Sequence, residues 1–344
     1  MRIIVDAMGG DNAPKAPVLG AIQAHEEFGV DITLVGRGAD ILNILKENGM
    51  EELPKGVEIA HASEVVEICD NPATAFREKK DSSLTVGLNL LKNGEGDAFV
   101  SAGSTGALLS AATLLVKRIR GIRRAAMAPV IPTGNGGAVL VDCGANAECS
   151  TEYLLQFAYM GAYYAEHILK RPEPKVGLLN NGAEESKGLA LQQETYQLLT
   201  QAHAEGRLNF IGNIEGREAI LGGVDVLVTD GFTGNIFMKT YEGGLLMFAD
   251  FMKGMFKSSL TTKLGYLTVK SQVDGFKKVF SPDEIGGTAL VGISKPVIKA
   301  HGSSNGYAMF NALCRAKEMA ESDLIDDITA NIHHMRLPGG QTED

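Results

Sequence analysis

The chain has 344 residues, of which 44% are hydrophobic and 22% are charged, and it contains 41 glycines. This composition is typical of an α/β enzyme with many tight turns, and it excludes collagen-like, coiled-coil and disordered chains. The formal net charge of −10 argues against a nucleic-acid binder, because such proteins usually carry a basic surface.

Short apolar runs typical of buried parallel strands alternate with amphipathic runs typical of helices. The predicted strands are residues 3–6, 32–35, 57–60, 98–101, 127–131, 138–142, 176–179, 209–211, 224–229 and 297–300. The predicted helices are residues 16–28, 41–47, 84–92, 105–117, 151–169, 189–204 and 305–320. This order predicts an α/β protein with a doubly wound, mainly parallel sheet and helices on both of its faces.

Neither an internal repeat nor a low-complexity linker divides the chain. Residues 1–336 are therefore predicted to form a single α/β domain, with two lobes around a cleft as the alternative. A helical segment at about residues 244–270 is expected to protrude, and residues 337–344 are expected to form a frayed tail.

The cysteines, histidines and apolar runs bear on the cellular location of the protein and on metal binding. The four cysteines form no CxxC pair, which predicts reduced thiols in a cytoplasmic protein. The seven histidines include neither HxxxH nor HExxH, so no metal site is expected. A signal peptide and a run of about 18 apolar residues are both lacking, so no membrane-spanning segment is expected.

The first predicted strand ends in a turn that carries two carboxylates. Gly9 and Gly10 permit backbone angles that are closed to other residues, and Asp11 or Asn12 can cap the following helix. Parallel sheets bind ligands at this end of their strands. Because two carboxylates would repel an anion, we expect Asp6 and Asp11 to orient neighbouring donors in a site.

Other predicted strands end in turns that are rich in glycine, serine, threonine and asparagine. These turns are residues 101–106, 142–146, 180–187, 212–216, 229–235 and 301–306. Each turn alone is compatible with a purely structural role. Together on one edge of a sheet, they would line a crevice with N–H groups, hydroxyls and amides.

Residues 101–106, Ser-Ala-Gly-Ser-Thr-Gly, lead directly into a predicted helix. Main-chain N–H groups, hydroxyls and a helix start predict an anion site that suits phosphate, although the sequence matches neither the Walker loop nor GxGxxG. Phosphate is itself an anionic nucleophile. Acyl transfer to phosphate in this crevice would therefore need positioning and oxyanion donors, but no side-chain nucleophile.

Two further segments have a structural and a functional interpretation. Five cations lie within residues 117–124, which predicts either a solvated helix end or a docking surface for an acidic partner. Residues 244–269 are mostly apolar with interspersed lysines. This pattern predicts either a core or dimer-interface helix, or a projection that contacts acyl chains or the membrane surface.

Several motifs together resemble the PlsX family of bacterial phosphate acyltransferases. The motifs are residues 6–14, 77–83, 101–106, 141–146, 177–182, 212–216 and 229–235, and the likeness runs from residue 1 to about residue 334. Residues 230–236 also resemble a turn of phosphotransacetylases, which exchange an acyl group between a thioester and phosphate.

The resemblance implies acyl transfer from acyl-acyl carrier protein to inorganic phosphate, which gives acyl phosphate for phospholipid synthesis. It implies a fold like that of isopropylmalate dehydrogenase and phosphotransacetylase, and a homodimer without a cofactor. It also implies peripheral association with the membrane surface, where the downstream glycerol-phosphate acyltransferase is an expected partner.

For this reaction we predict the following site residues. Phosphate binding is assigned to Ser101, Gly103, Ser104 and Thr105, with Arg77 and Lys80 as additional cations. Contact with the thioester carbonyl or the leaving sulfur is assigned to Asn146, Asn181, Asn235 and His301. Orientation of the crevice is assigned to Asp6, Gly9, Gly10, Asp11, Asn12 and Asp230. Docking of the carrier protein is assigned to Lys117, Arg118, Arg120, Arg123 and Arg124. Contact with the acyl chain or the membrane is assigned to Phe248, Phe251, Met252, Met255, Phe256 and Leu260.

Three other functions compete with this interpretation. An NAD-dependent decarboxylating dehydrogenase of the same fold would need clustered metal-binding carboxylates, whereas the turns favour asparagine and serine. A non-catalytic scaffold that binds lipid or carrier protein would not need the polar crevice. An esterase is suggested by the GxSxG pattern around Ser304, but little chain follows it to supply the acid and the histidine.

Overall fold

The computed structural model of the chain describes residues 1–279 and 282–337, so the predicted tail lies outside the described residues except for Leu337. The strands are β1 (Arg2–Asp6), β2 (Asp31–Gly36), β3 (Val57–His61), β4 (Ala98–Ser101), β5 (Ala126–Ala128), β6 (Val130–Ile131), β7 (Ala138–Val141), β8 (Val176–Leu179), β9 (Phe210–Ile214), β10 (Val226–Val228), β11 (Thr288–Val291) and β12 (Val297–Lys299). The helices are α1 (Lys15–Phe28), α2 (Gly38–Glu47), α3 (Ala75–Glu78), α4 (Ser83–Asn93), α5 (Thr105–Ala111), α6 (Thr151–His167), α7 (Ala190–Ala204), α8 (Gly216–Ile220), α9 (Gly231–Lys257), α10 (Leu260–Val279), α11 (Pro282–Ile285), α12 (Gly306–Glu321) and α13 (Leu324–Ala330).

The strands belong to two sheets. The seven-stranded sheet has the order β3-β2-β1-β4-β12-β11-β5, and the five-stranded sheet has the order β6-β7-β10-β8-β9. Pairing is parallel except where β11 meets β12 and β5, and where β6 meets β7. The predicted mainly parallel α/β architecture is therefore confirmed, with its strands divided between two sheets.

The division between the sheets falls inside one predicted strand, residues 127–131. Pro129 separates β5 in the first sheet from β6 in the second. Proline has no N–H group to donate to a neighbouring strand, so it interrupts the ladder at this point. The carbonyl of Pro129 still accepts a hydrogen bond from the Leu140 N–H group at 2.9 Å, which ties the break to β7.

Some elements differ from the sequence prediction. Strand β11 was not predicted, because it is short, antiparallel and preceded by two glycines with positive φ, Gly286 and Gly287. The predicted helix at residues 105–117 is α-helical only as far as Ala111 and continues as a π-helical turn, Ala112–Val116. Helices α3, α8 and α11 have only four or five residues each, too few to produce a visible apolar period.

The first sheet brings three strand ends together. Strands β1, β4 and β12 are adjacent and parallel, and Lys299 of β12 lies in register with Ser101 of β4. The turns that follow these strands therefore meet at one edge. The Asp11 N–H group donates to the Gly302 carbonyl at 2.8 Å, which joins the turn after β1 to the turn after β12.

The mostly apolar segment forms the end of α9 and the first part of α10. The two helices are joined by a short connection, and the Phe256 and Tyr266 rings pack with their centroids 5.2 Å apart. Among the described residues, no helix is long and apolar enough to cross a bilayer.

Candidate active site

A buried hydrogen-bonded pair underlies the predicted phosphate loop, residues 101–106. Asp6 is 2% exposed, and its carboxylate accepts hydrogen bonds from the Ser101 hydroxyl at 2.6 Å and the Met8 N–H group at 3.2 Å. The Ser101 hydroxyl in turn accepts from the Gly103 N–H group at 3.0 Å. The pKa of Asp6 is raised, because the effect of burial exceeds that of the hydrogen bonds from Ser101 and Met8, which lower it. The Ser101 side chain therefore shapes the loop from its buried side.

The other hydroxyls of this loop, those of Ser104 and Thr105, are less engaged in hydrogen bonds. Ser104 precedes α5 as its N-cap residue, yet its side chain makes no capping hydrogen bond. Thr105 is exposed and lines a groove together with Gly106. The loop thus keeps two hydroxyls available to a ligand.

The turn after β1 contacts the loops that follow β4 and β12. Gly10 has a φ of 101°, and a Cβ atom there would lie 2.8 Å from the Ala102 side chain. The Asn12 side chain donates to the carbonyls of Ser303 and Ser304 at 2.9 and 3.1 Å. These contacts join the turns after β1, β4 and β12, which is an arrangement in keeping with an orienting role.

Sequence reasoning missed one buried residue at this edge, Lys299. Its side chain is 7% exposed, and its ammonium group donates to the carbonyls of Ala102, at 3.3 Å, and Ala300. Burial lowers the pKa of Lys299 to about 8, while Asp6 and Asp11 act in the opposite direction. A lone lysine at the end of an otherwise apolar strand was the signal that could have identified it.

A groove with a volume of about 1390 Å³ extends from this edge to the helical pair α9 and α10. Its polar floor consists of Thr105, Lys299 and His301, with Asp6 and Ser101 buried behind them. Its apolar wall consists of Phe248, Met252, Phe256 and Tyr266. The groove therefore joins a charged, hydrogen-bonding end to a long hydrophobic surface.

Two side-chain donors, His301 and Asn235, line the groove at or near its floor. The Nδ1 atom of His301 lies 3.3 Å from the Ser303 N–H group, which can only donate, so the neutral ring carries its proton on Nε2. Asn235 lies in α9, whose N-cap Asp230 accepts from the Thr233 N–H group at 2.8 Å. In residues 1–279 and 282–337, no hydrogen bond engages the Asn235 amide, which lines the groove.

The other predicted polar residues do not join this pair. The Asn146 amide already donates to the Ala125 carbonyl at 2.9 Å and to Asp142 at 3.1 Å, so it holds a turn together. Asn181 follows β8 in the second sheet and does not line the groove. Arg77 and Lys80 are exposed in and just after α3, and neither is among the residues that line the groove.

The nucleophile candidates in the groove have little reactivity. Burial, as the larger cause, and the Asp142 charge raise the pKa of Cys143 to about 12, so its thiol stays protonated near neutral pH. Ser304 is 4% exposed. Within the described part of the chain, no histidine is hydrogen-bonded to its hydroxyl, whereas the His301 ring contacts the Ser303 hydroxyl at 2.8 Å. An esterase nucleophile is not assembled here.

The predicted docking surface, Lys117 to Arg124, carries its five cations outward. Ile119 and Ile122 between them are buried and anchor the segment. Arg123 forms an ion pair with Glu152 at 3.2 Å, and the Arg124 guanidinium lies 5.7 Å from the centre of the Tyr153 ring. The surface is therefore a fixed cationic patch.

The six predicted apolar contact residues fall into two sets. Phe248, Met252 and Phe256 are spaced by four residues and line the groove. The outward set does not line it and is highly exposed: Phe251 at 72%, Met255 at 45% and Leu260 at 78%. One helical segment thus offers one apolar face to the groove and another to its surroundings.

The chain is similar in sequence to proteins of known name. A family profile described as "Fatty acid synthesis protein" matches residues 1–327. A phosphate acyltransferase of Thermoanaerobacterium thermosaccharolyticum is 44% identical over 96% of this chain and 97% of its own length. A phosphate acyltransferase of Desulfitobacterium hafniense is 47% identical over 95% of this chain and 96% of its own length.

Solved structures support the fold. A phosphotransacetylase from Streptococcus pyogenes matches with a TM-score of 0.64 at 18% identity, covering 93% of this chain and 94% of that chain. A 4-hydroxythreonine-4-phosphate dehydrogenase from Klebsiella pneumoniae matches with a TM-score of 0.54 at 12% identity, covering 93% of this chain and 98% of that chain. The predicted phosphotransacetylase-like fold is confirmed.

Proposed function

The chain belongs to the fatty acid synthesis protein family of phosphate acyltransferases, and we propose that it transfers a fatty acyl group from acyl-acyl carrier protein to inorganic phosphate. The observation that carries this proposal is the groove that joins a polar floor to an apolar wall. The reaction needs both, because one substrate is a small anion and the other ends in a long hydrocarbon chain.

In the proposed reaction, phosphate binds at the loop of residues 101–106. Its donors are main-chain N–H groups and the hydroxyls of Ser104 and Thr105, with Ser101 and Asp6 keeping the loop in shape. A phosphate oxygen attacks the thioester carbonyl carbon, and a new C–O bond forms. The C–S bond then breaks, and the carrier leaves as a thiolate that takes up a proton.

The oxyanion and the leaving sulfur need hydrogen-bond donors. The Asn235 amide and the His301 Nε2–H group are the candidates, because both residues line the groove and the hydrogen bonds of His301 engage Nδ1 instead of Nε2. Donors of this kind act most strongly where water is excluded. The protonated Cys143 thiol favours direct attack by phosphate over an acyl-enzyme.

The apolar wall is proposed to hold the acyl chain along Phe248, Met252 and Phe256. The outward set, Phe251, Met255 and Leu260, is proposed to contact the membrane surface, with a second copy of the chain as the competing occupant. Release of acyl phosphate at a membrane would suit the glycerol-phosphate acyltransferase that is predicted to act downstream. Acyl phosphates are reactive anhydrides that need a nearby consumer.

The cationic patch at residues 117–124 is proposed to dock the acidic carrier protein by charge complementarity. Its rigid anchoring through Ile119 and Ile122 supports a defined docking geometry. Asn181, Arg77 and Lys80 remain predictions, since they are not among the residues that line the groove.

The direct test is incubation of the protein with palmitoyl-acyl carrier protein and labelled inorganic phosphate. We expect labelled palmitoyl phosphate and free carrier protein in equal amounts. Release of free palmitate without labelled product would contradict the proposal and favour a hydrolase.

A further inference from the structure

We infer that Lys299 supplies the positive charge that binds the phosphate nucleophile at the polar floor. This inference rests on the proposed function and deepens it, because it assigns the cation of the phosphate site. The cations predicted from sequence, Arg77 and Lys80, lie outside the groove lining, whereas Lys299 is part of it.

The position of Lys299 is set by the sheet. It lies in register with Ser101 on the neighbouring parallel strand, so both side chains are on the same face at the same level. Its ammonium group donates to the Ala102 carbonyl at 3.3 Å, which is within the phosphate loop itself. A ligand held by this loop would therefore lie next to the ammonium group.

Among the described residues, the Lys299 ammonium group forms no salt bridge. An ammonium group has three N–H donors, and the two partners found among residues 1–279 and 282–337 are both main-chain carbonyls. Asp6 is nearby, but its carboxylate is buried and engaged by the Ser101 hydroxyl. A buried charge is costly unless it is paired, so a bound anion would stabilise this arrangement.

Other charged or titratable groups around Lys299 come from three directions. Asp6 ends β1, Asp11 lies in the turn after it, and His301 follows β12. Lys239 and Glu242 of α9 line the same groove and are paired with each other at 3.0 Å. The carboxylates of Asp6 and Asp11 help to keep Lys299 charged near neutral pH. The lysine loses its proton as the pH rises through about 8.

The test compares Lys299→Met with Lys175→Met. The second variant makes the same change at an exposed lysine that directly precedes β8. Inorganic phosphate alone is the probe in a calorimetric titration without acyl donor. The KM values for phosphate and for acyl-carrier protein are measured in parallel. We expect Lys299→Met to weaken phosphate binding by about 10- to 100-fold, as for loss of a charged hydrogen bond.

In the same experiment, the KM for acyl-carrier protein should stay close to the wild-type value, and Lys175→Met should bind phosphate normally. Wild-type phosphate affinity in Lys299→Met, with an unchanged melting temperature, overturns the inference. If that variant does not fold, the pH dependence of phosphate binding by the wild-type protein tests the inference instead. Its phosphate affinity should fall as the pH rises from about 8 to about 10, where inorganic phosphate is mostly dianionic throughout, and a constant affinity overturns the inference.

The two proposals can fail separately. A wild-type protein that forms no acyl phosphate overturns the proposed function, while the calorimetric titration still tests Lys299. A wild-type protein that forms acyl phosphate, together with unchanged phosphate binding in Lys299→Met, overturns only the inference.

Discussion

The polar floor and the apolar wall of the groove are built in opposite ways. Lys299 in the floor, and Asp6 and Ser101 behind it, are at most 7% exposed on three adjacent strands, and hydrogen bonds fix each of them. Much of the helical pair is surrounded by open space, and a Cβ atom added at Gly244 or Gly254 would meet nothing within 4 Å. The reacting atoms need fixed donors in a dry site, whereas an acyl chain needs area more than exact geometry.

The largest expected effect is that of removing the carboxylate behind the floor. Asp6→Ala leaves the Ser101 hydroxyl and the Met8 N–H group without their acceptor. We expect the free energy of unfolding to fall by about 3 kcal/mol in chemical denaturation, with loss of acyl phosphate formation.

The control for this change is Asp40→Ala, which removes a partly exposed carboxylate paired with Arg37. Its effect on unfolding should be below about 1 kcal/mol. Equal destabilisation by the two substitutions would contradict the idea that the floor is the more rigidly determined region.

The next effect concerns the junction between the floor and the wall. Asn235→Ala removes an amide donor from the groove without breaking an internal hydrogen bond of the described chain. We expect kcat to fall by about 100- to 1000-fold, as for other oxyanion donors, while the KM for acyl-carrier protein changes little.

Steady-state kinetics with Asn93→Ala as the matched control checks this prediction, since Asn93 is exposed at the end of α4. A kcat within a few-fold of wild type in Asn235→Ala would remove this residue from the chemistry and leave His301 as the remaining donor.

A smaller effect is expected at the wall. Met252→Trp narrows the groove between the helices without touching the floor. The KM for palmitoyl-carrier protein should rise about tenfold, because about two methylenes at about 0.8 kcal/mol each lose their contact. The KM for butyryl-carrier protein should stay nearly constant. If both donors are affected equally, the acyl chain lies elsewhere.

The smallest effect on the groove is expected from its outer face. Phe251 is 72% exposed and does not line the groove, so Phe251→Glu should weaken binding to anionic liposomes by about tenfold in co-sedimentation. Light scattering on the same samples reports the oligomeric state. Unchanged liposome binding with loss of a dimer would reassign this face to contact between two copies of the chain.

The sequence was sufficient for short, mostly apolar and fully or largely buried strands, and β4 and β8 begin and end as predicted. It also placed most of the glycine-rich turns at strand ends, but residues 212–214, predicted to belong to a turn, are part of β9. It could not distinguish Asn146 from Asn235, because both belong to similar stretches that were predicted as turns, although Asn235 lies in α9. Their difference depends on the Ala125 carbonyl, which only the fold brings to Asn146.

Lys299 was missed for a related reason. A lysine in a sequence counts as a surface residue by default, and nothing local indicates that β12 lies between β4 and β11. The order of strands in the sheet, which the sequence does not encode locally, converts this residue into a buried cation beside the phosphate loop.

The central claim is that phosphate on the polar floor attacks the thioester directly. The most direct measurement mixes the enzyme rapidly with equimolar palmitoyl-carrier protein, first without phosphate and then with it, and follows the release of the carrier thiol. We predict no thiol release until phosphate is added, and then equal amounts of thiol and palmitoyl phosphate. A burst of thiol before phosphate is added, with a palmitoyl group attached to the protein in its intact mass, would contradict the account.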